Sequence, residues 1–191
     1  ENNKNSVKTF YVKSQPGELY EADINGKKVG DVYFTPYCDD YRYILQYQTY
    51  DISEYLCDGE NEIAVLCGNG WHGGRYPTNG VNGIGAFGKG FILSAEIVSD
   101  GNTVLTTDEK WKEIQSPVIF SEIYDGEIYD ARKEIFDENG KVYAEIILKA
   151  NRTKFTEKPK AKIISRISPR VTAKERYKAT LIKTPNGETV L

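Results

Sequence analysis

Short runs of alternating apolar and polar residues, cut by turn-forming dipeptides, recur along this chain and predict an all-β domain. Tyr20, Ala22 and Ile24 alternate with Glu21 and Asp23, which puts three apolar side chains on one strand face. That run meets Asn25-Gly26, a pair that tolerates positive φ and favours a two-residue hairpin turn, with the return strand over 27–34. Tyr43, Leu45, Tyr47 and Thr49 alternate with Ile44, Gln46, Gln48 and Tyr50, as a half-buried strand would. Asp51-Ile52-Ser53-Glu54 reads as a capping box, with the Asp51 carboxylate accepting from the Glu54 amide and starting one or two helical turns before Asp58-Gly59. The run 63–67 is apolar on both faces and predicts a central strand. Phe91, Leu93, Ala95 and Ile97 oppose Ile92, Ser94, Glu96 and Val98, and Asp100-Gly101 turns that strand into 103–106.

After Val118-Ile119-Phe120, the stretch 123–130 resembles a turn, with Asp125-Gly126 between mixed strands. Asp137-Glu138-Asn139-Gly140 is a further turn, after which Val142, Ala144, Ile146 and Leu148 alternate. Residues 151–162 are polar and lysine-rich and read as a linker, followed by strands at 161–167 and 179–183. The turn Pro185-Asn186-Gly187-Glu188 leads into only three more residues, as in a chain broken in mid-domain. The pattern predicts a jelly-roll-like antiparallel β-sandwich with a short helical turn over 1–150. A linker and the incomplete start of a following β region would occupy 151–191.

Composition narrows the function classes. Hydrophobic residues at 39% and charged residues at 28%, of mixed sign, suit a globular domain, and a net charge of −3 gives no reason to expect nucleic acid. No apolar run is long enough for a membrane span. Cys38, Cys57 and Cys67 lack metal-knuckle spacing and are odd in number, so at least one thiol is expected free. The chain opens with Glu1 and has no signal-like stretch, which leaves the compartment open between cytoplasm, periplasm and exterior. Tyrosine outnumbers the other aromatics, 14 against 7 Phe and 2 Trp, and suits half-buried sheet faces and ligand surfaces.

The candidate chemistry gathers in residues 68–90, a glycine-rich stretch of a length that usually signals function. Its glycines match no phosphate-cradling spacing and no helix follows. Asn69, Trp71, His72, Arg75 and Tyr76 offer an aromatic face and polar partners within a few residues, the two kinds of contact a sugar needs. Trp71 reads equally well as a packing plug at a sheet edge. His72 has no Ser or Cys nucleophile and orienting acid beside it in sequence, so no triad is expected. Asp31, Asp39, Asp40, Glu122, Asp125, Glu127 and Asp130 are plentiful carboxylates, but sequence pairs none of them across a glycosidic bond. No DxDxDG-type loop is present. No cofactor is assigned, and calcium on acidic side chains or loop carbonyls stays a candidate without assigned ligands.

Several segments, in order, resemble the N-terminal β-sandwich region of bacterial α-L-rhamnosidases. They are Tyr20 and Ile24-Asn25-Gly26-Lys27-Lys28-Val29-Gly30-Asp31, Thr35-Pro36, Asp40-Tyr41-Arg42 and Tyr47-Gln48-Thr49-Tyr50-Asp51-Ile52. Next come Gly59-Glu60-Asn61, Leu66-Cys67-Gly68-Asn69-Gly70-Trp71, Thr107-Asp108-Glu109-Lys110-Trp111-Lys112 and Ile123-Tyr124-Asp125-Gly126-Glu127-Ile128-Tyr129-Asp130-Ala131-Arg132. The resemblance covers about residues 10–132, and 133–160 depart from it. It implies a non-catalytic accessory domain of a glycoside hydrolase that removes terminal α-L-rhamnose. The general acid and base would lie in a downstream (α/α) barrel of the same polypeptide. Two alternatives remain: a calcium-dependent module binding rhamnosylated glycan, and a purely structural interaction domain.

Overall fold

The structure is a computed structural model that describes residues 8–14, 19–40, 43–71, 74, 93–135, 151–152, 160–178, 182–183 and 189–190. Its first half contains β1 (Lys8–Ser14), β2 (Leu19–Ile24), β3 (Lys27–Lys28), β4 (Val32–Tyr33), β5 (Ile44–Asp51), β6 (Ile63–Gly68) and β7 (Leu93–Ser99). There follow β8 (Asn102–Thr106), β9 (Lys112–Glu113), β10 (Val118–Glu122), β11 (Gly126–Tyr129), β12 (Asn151–Arg152), β13 (Lys162–Ser165) and β14 (Val171–Thr172). The short pair β15 (Ile182–Lys183) and β16 (Thr189–Val190) closes the series. Helical structure among the described residues is confined to two 3-10 turns, Ser53–Tyr55 and Ala131–Lys133. The chain is an all-β sandwich, as the alternation predicts.

The largest sheet has the order β13-β5-β1-β7-β8 and the next β3-β2-β6, and β10-β11, β12-β9, β14-β4 and β15-β16 form separate two-stranded ladders. Tyr20, Ala22 and Ile24 of β2 pack with Ala95 and Ile97 of β7, and with Val29 and Ile52, to form the core between the sheets. Both predicted hairpin turns form with left-handed backbone, Asn25 and Gly26 at φ 52° and 72°, Asp100 and Gly101 at φ 50° and 79°. Asn25 also ties its turn to the 55–62 segment: its Nδ2 donates to the Tyr55 carbonyl and its Oδ1 accepts from the Glu62 amide.

Four expectations change. The return strand over 27–34 splits into β3 and β4, because Gly30 at φ 75° bends the chain between them, where the Tyr50 ring lies too close to allow a Cβ. The run 63–67 forms the edge strand β6, not a central one. Its sequence misleads because the outward positions Ala64 and Leu66 are apolar too, and Leu66 is 48% exposed. In place of a capping box, Asp51 Oδ1 accepts from the Ser53 amide at 3.0 Å, and the helix cap is Ile52 without a side-chain bond. A two-residue reach suits an Asx turn, which competes with the helical cap. The expected linker also contributes pairing, since Asn151–Arg152 lies antiparallel to β9.

The segment after residue 150 supplies β13, which runs parallel to β5 with Ile164 opposite Gln46, and β14, which pairs with β4. Gln46, 2% exposed, fixes the connection between them. Its Nε2 donates to Asp39 Oδ1 (2.6 Å) and Ser168 Oγ (2.7 Å), while its Oε1 accepts from the Ile167 and Ser168 amides (2.7 and 2.9 Å). Phe91 and Ile92, the 137–140 turn and the 142–148 alternation lie outside the described residues.

Candidate functional site

Trp71 sits just past β6, half-buried, where the glycine-rich stretch begins. Two side-chain bonds join this loop to the hairpin of β10 and β11. Asn69 Nδ2 donates to Glu122 Oε1 at 3.1 Å, and Trp71 Nε1 donates to the Tyr124 hydroxyl at 3.0 Å. Both donors are two residues apart, as are both acceptors. An indole has one N–H, so the polar handle of Trp71 is directed at the hairpin. Gly74 closes the same corner: its amide donates to the Gly70 carbonyl, and a Cβ there would collide with the Glu122 carboxylate.

The indole ring has two further aromatic neighbours. Tyr37 lies 5.5 Å away and Phe34 6.4 Å away between centroids, both tilted by 53°, within the range of favourable aromatic pairs. Phe34 and Tyr37 both adopt left-handed backbone, φ 57° and 85°. That costs an L-residue about 1–2 kcal/mol each. The bend is held from β2, where the Tyr20 amide donates to the Thr35 carbonyl (3.0 Å) and Thr35 Oγ1 donates to the Tyr20 carbonyl (3.1 Å). An anchored, unfavourable bend therefore brings two rings onto Trp71, with Phe34 left 46% exposed.

Of the predicted residues, Asn69 and Trp71 are brought together with Glu122. His72, Arg75 and Tyr76 lie outside the described residues. Sequence reasoning missed Phe34, Tyr37 and Tyr124. Strand alternation gave no signal for Tyr124, because Asn69, Trp71 and Tyr124 all lie just outside the strands. Nothing local pointed to Phe34 and Tyr37, because aromatic residues seldom take positive φ.

Several of the carboxylates have structural partners. Asp31 pairs with Arg170, and Asp39 accepts from Gln46. Burial pushes the Asp39 pKa above its usual value, while the hydrogen bond from Arg132 lowers that of Asp130. Calcium takes six to eight oxygen ligands. Among the described residues no group of three or more His, Cys, Asp or Glu side chains is placed to hold a metal, so no chemistry is routed through one. Cys38, Cys57 and Cys67 are free thiols. No helix of the described residues is long and apolar enough to cross a membrane.

Residues 8–175 match the family model described as the α-L-rhamnosidase N-terminal domain. An α-L-rhamnosidase of Streptomyces avermitilis is 35% identical over 120 residues, covering 61% of this chain and 11% of that protein. One from Formosa agariphila is 34% identical over 124 residues, covering 62% and 13%. The solved α-L-rhamnosidase of Aspergillus terreus superposes with TM-score 0.78 at 32% identity, covering 96% of this chain and 21% of its own. The Streptomyces avermitilis enzyme, solved with L-rhamnose, gives TM-score 0.75 at 25% identity, covering 91% and 17%. The chain thus spans between a tenth and about a fifth of these relatives.

Proposed function

Since the chain belongs to the α-L-rhamnosidase N-terminal domain family, we propose that it is the accessory β-sandwich of a larger glycoside hydrolase. Hydrolysis of terminal α-L-rhamnose would be carried out elsewhere in that polypeptide, in a catalytic barrel that this domain supports. The observation that carries this reading is the inward use of the candidate sugar donors. Asn69 and Trp71 direct N–H groups to Glu122 and Tyr124 and brace a hairpin. A sugar site instead needs its polar groups converging on open space.

One observation favours a second reading, in which the domain touches rhamnosylated glycan. The Phe34 ring, beside Trp71 and Tyr37, is exposed enough to stack on the apolar face of a sugar. Titrating the 191-residue chain with L-rhamnose, in calcium and in chelator, while following tryptophan fluorescence and heat separates the two. The accessory reading expects no saturable binding under either condition. Saturation in calcium that chelator abolishes would establish the lectin-like module instead. The purely structural reading differs in a third way: it expects removal of this domain to leave rhamnosidase turnover by the remaining polypeptide unchanged.

A further inference from the structure

The segment 160–178 runs from the five-stranded sheet to the β4 ladder and is fastened to the sandwich along the way. β13 lies along β5, Gln46 holds Ile167 and Ser168, β14 pairs with β4, Arg170 bonds Asp31 and Arg176 donates to the Tyr33 hydroxyl. The segment differs in charge from the rest of the chain. Residues 160–178 carry seven Lys and Arg against one Glu, net +6, whereas the other 172 residues carry 18 against 27, net −9. Ile167 and Tyr177, 73% and 84% exposed, have higher exposure than any other large hydrophobic side chain among the described residues. Arg170 and Arg176 are turned to the sandwich and Arg166 to carbonyls of the strap itself, so the positive charge left to solvent is carried by Lys160, Lys162, Lys174 and Lys178.

We propose that the outer face of this strap is the surface by which the domain docks. Its occupant is an acidic, apolar-centred face of the remaining part of the same long polypeptide. The proposal rests on the accessory reading above and names the surface it uses. Two observations select that occupant. The family match runs to residue 175, inside the strap, and the Aspergillus terreus relative has about four-fifths of its chain outside the superposed part. A tethered neighbour is also present at high effective concentration, so a modest patch can suffice. The acidic sandwich beneath the strap would repel an extended polyanion, whereas a folded acidic surface can meet the strap alone.

The test uses the full-length polypeptide that carries this chain. A carbodiimide, which joins lysine amines directly to carboxylates, is followed by peptide mapping. Hydrogen exchange over 166–178 is compared with that of the 191-residue chain. Cross-links from Lys174 or Lys178 to Asp or Glu beyond residue 191 are expected, with exchange slowed about tenfold or more in the full-length protein. The pair Lys174→Glu and Lys178→Glu should abolish the cross-links and the added protection. Cross-links and protection centred on the β10–β11 hairpin, with the strap unprotected, would overturn the strap as the surface and leave the accessory reading standing. Neither cross-links nor protection anywhere between this domain and the rest would overturn both.

Discussion

Two buried glutamines on β5 stand two residues apart, each 2% exposed, and their surroundings differ completely. At the strap end, Gln46 makes four hydrogen bonds, two given and two accepted, three of them to residues more than 120 positions away in sequence. At the core end, Gln48 Oε1 accepts from the Tyr20 hydroxyl at 2.8 Å, while its Nε2 is buried without a partner. Tyr20 also lies 3.2 Å from the Tyr50 hydroxyl, and burial pushes both phenols above their usual pKa. Equal burial therefore conceals opposite energetics. An amide whose donors and acceptor are satisfied holds a distant segment in place, whereas a half-satisfied one carries a desolvation cost with less return.

The sharpest test of that contrast is Gln46→Leu. It leaves the Ile167 and Ser168 amides without their acceptor and Asp39 without its donor. The three bonds are part-buried, so each stranded group costs near the low end of about 1–3 kcal/mol and a loss of about 3 kcal/mol in all is expected, or about 10 °C in Tm for a domain of this size. Urea unfolding measures the loss, and faster exchange over 162–172 should locate it in the strap. A loss no greater than that of Gln48→Leu would break the comparison.

The clasp at Trp71 is a third, more exposed case. Trp71→Phe keeps a ring against Tyr37 and Phe34 but removes the bond to Tyr124. Water can reach the Tyr124 hydroxyl left behind, so about 1 kcal/mol is expected, with exchange faster in the 122–126 turn. Gln48→Leu follows in rank, within about 1 kcal/mol of neutral in either direction. It removes the stranded Nε2, and Tyr20 keeps the neighbouring Tyr50 hydroxyl. A cost near that of Gln46→Leu would mean that the Tyr20 bond outweighs the orphaned donor.

The same contrast explains what sequence could reveal. The hairpins at Asn25-Gly26 and Asp100-Gly101 were legible because their chemistry is local: two residues must accept positive φ. The faces of β2 and β7 were legible from period-two alternation. The strap's pairing was not, because a parallel partner is chosen by contacts far along the chain, and a buried Gln46 looks like any polar strand residue. Strand β6 was misjudged because its outward residues resemble its inward ones. At the candidate site, sequence marked Asn69 and Trp71 but not the direction of their N–H groups. That direction depends on where a hairpin 50 residues later comes to rest.

The smallest expected effect bears on why the Gln46 end is satisfied. Asp39 accepts from Gln46, yet its pKa is raised, because desolvation outweighs that bond. The folded state thus binds the Asp39 proton more tightly than the unfolded state does. The carboxyl is therefore least costly to the fold below its ordinary value, near 3.9. The cost appears as pH rises through the raised value and persists to neutrality. Asp39→Asn remains neutral throughout and still presents Oδ1 to Gln46. It should be slightly more stable than the natural chain at neutral pH, with the advantage vanishing on acidification as the natural carboxyl also becomes neutral. Urea midpoints of both proteins, compared at neutral pH and near pH 3, read this directly. Destabilisation at neutral pH that disappears in acid would instead mean that the charged acceptor strengthens the Gln46 bond more than burial penalises it. The strap would then be held in part by a charge–amide interaction, and the advantage of Gln46 over Gln48 would itself depend on pH.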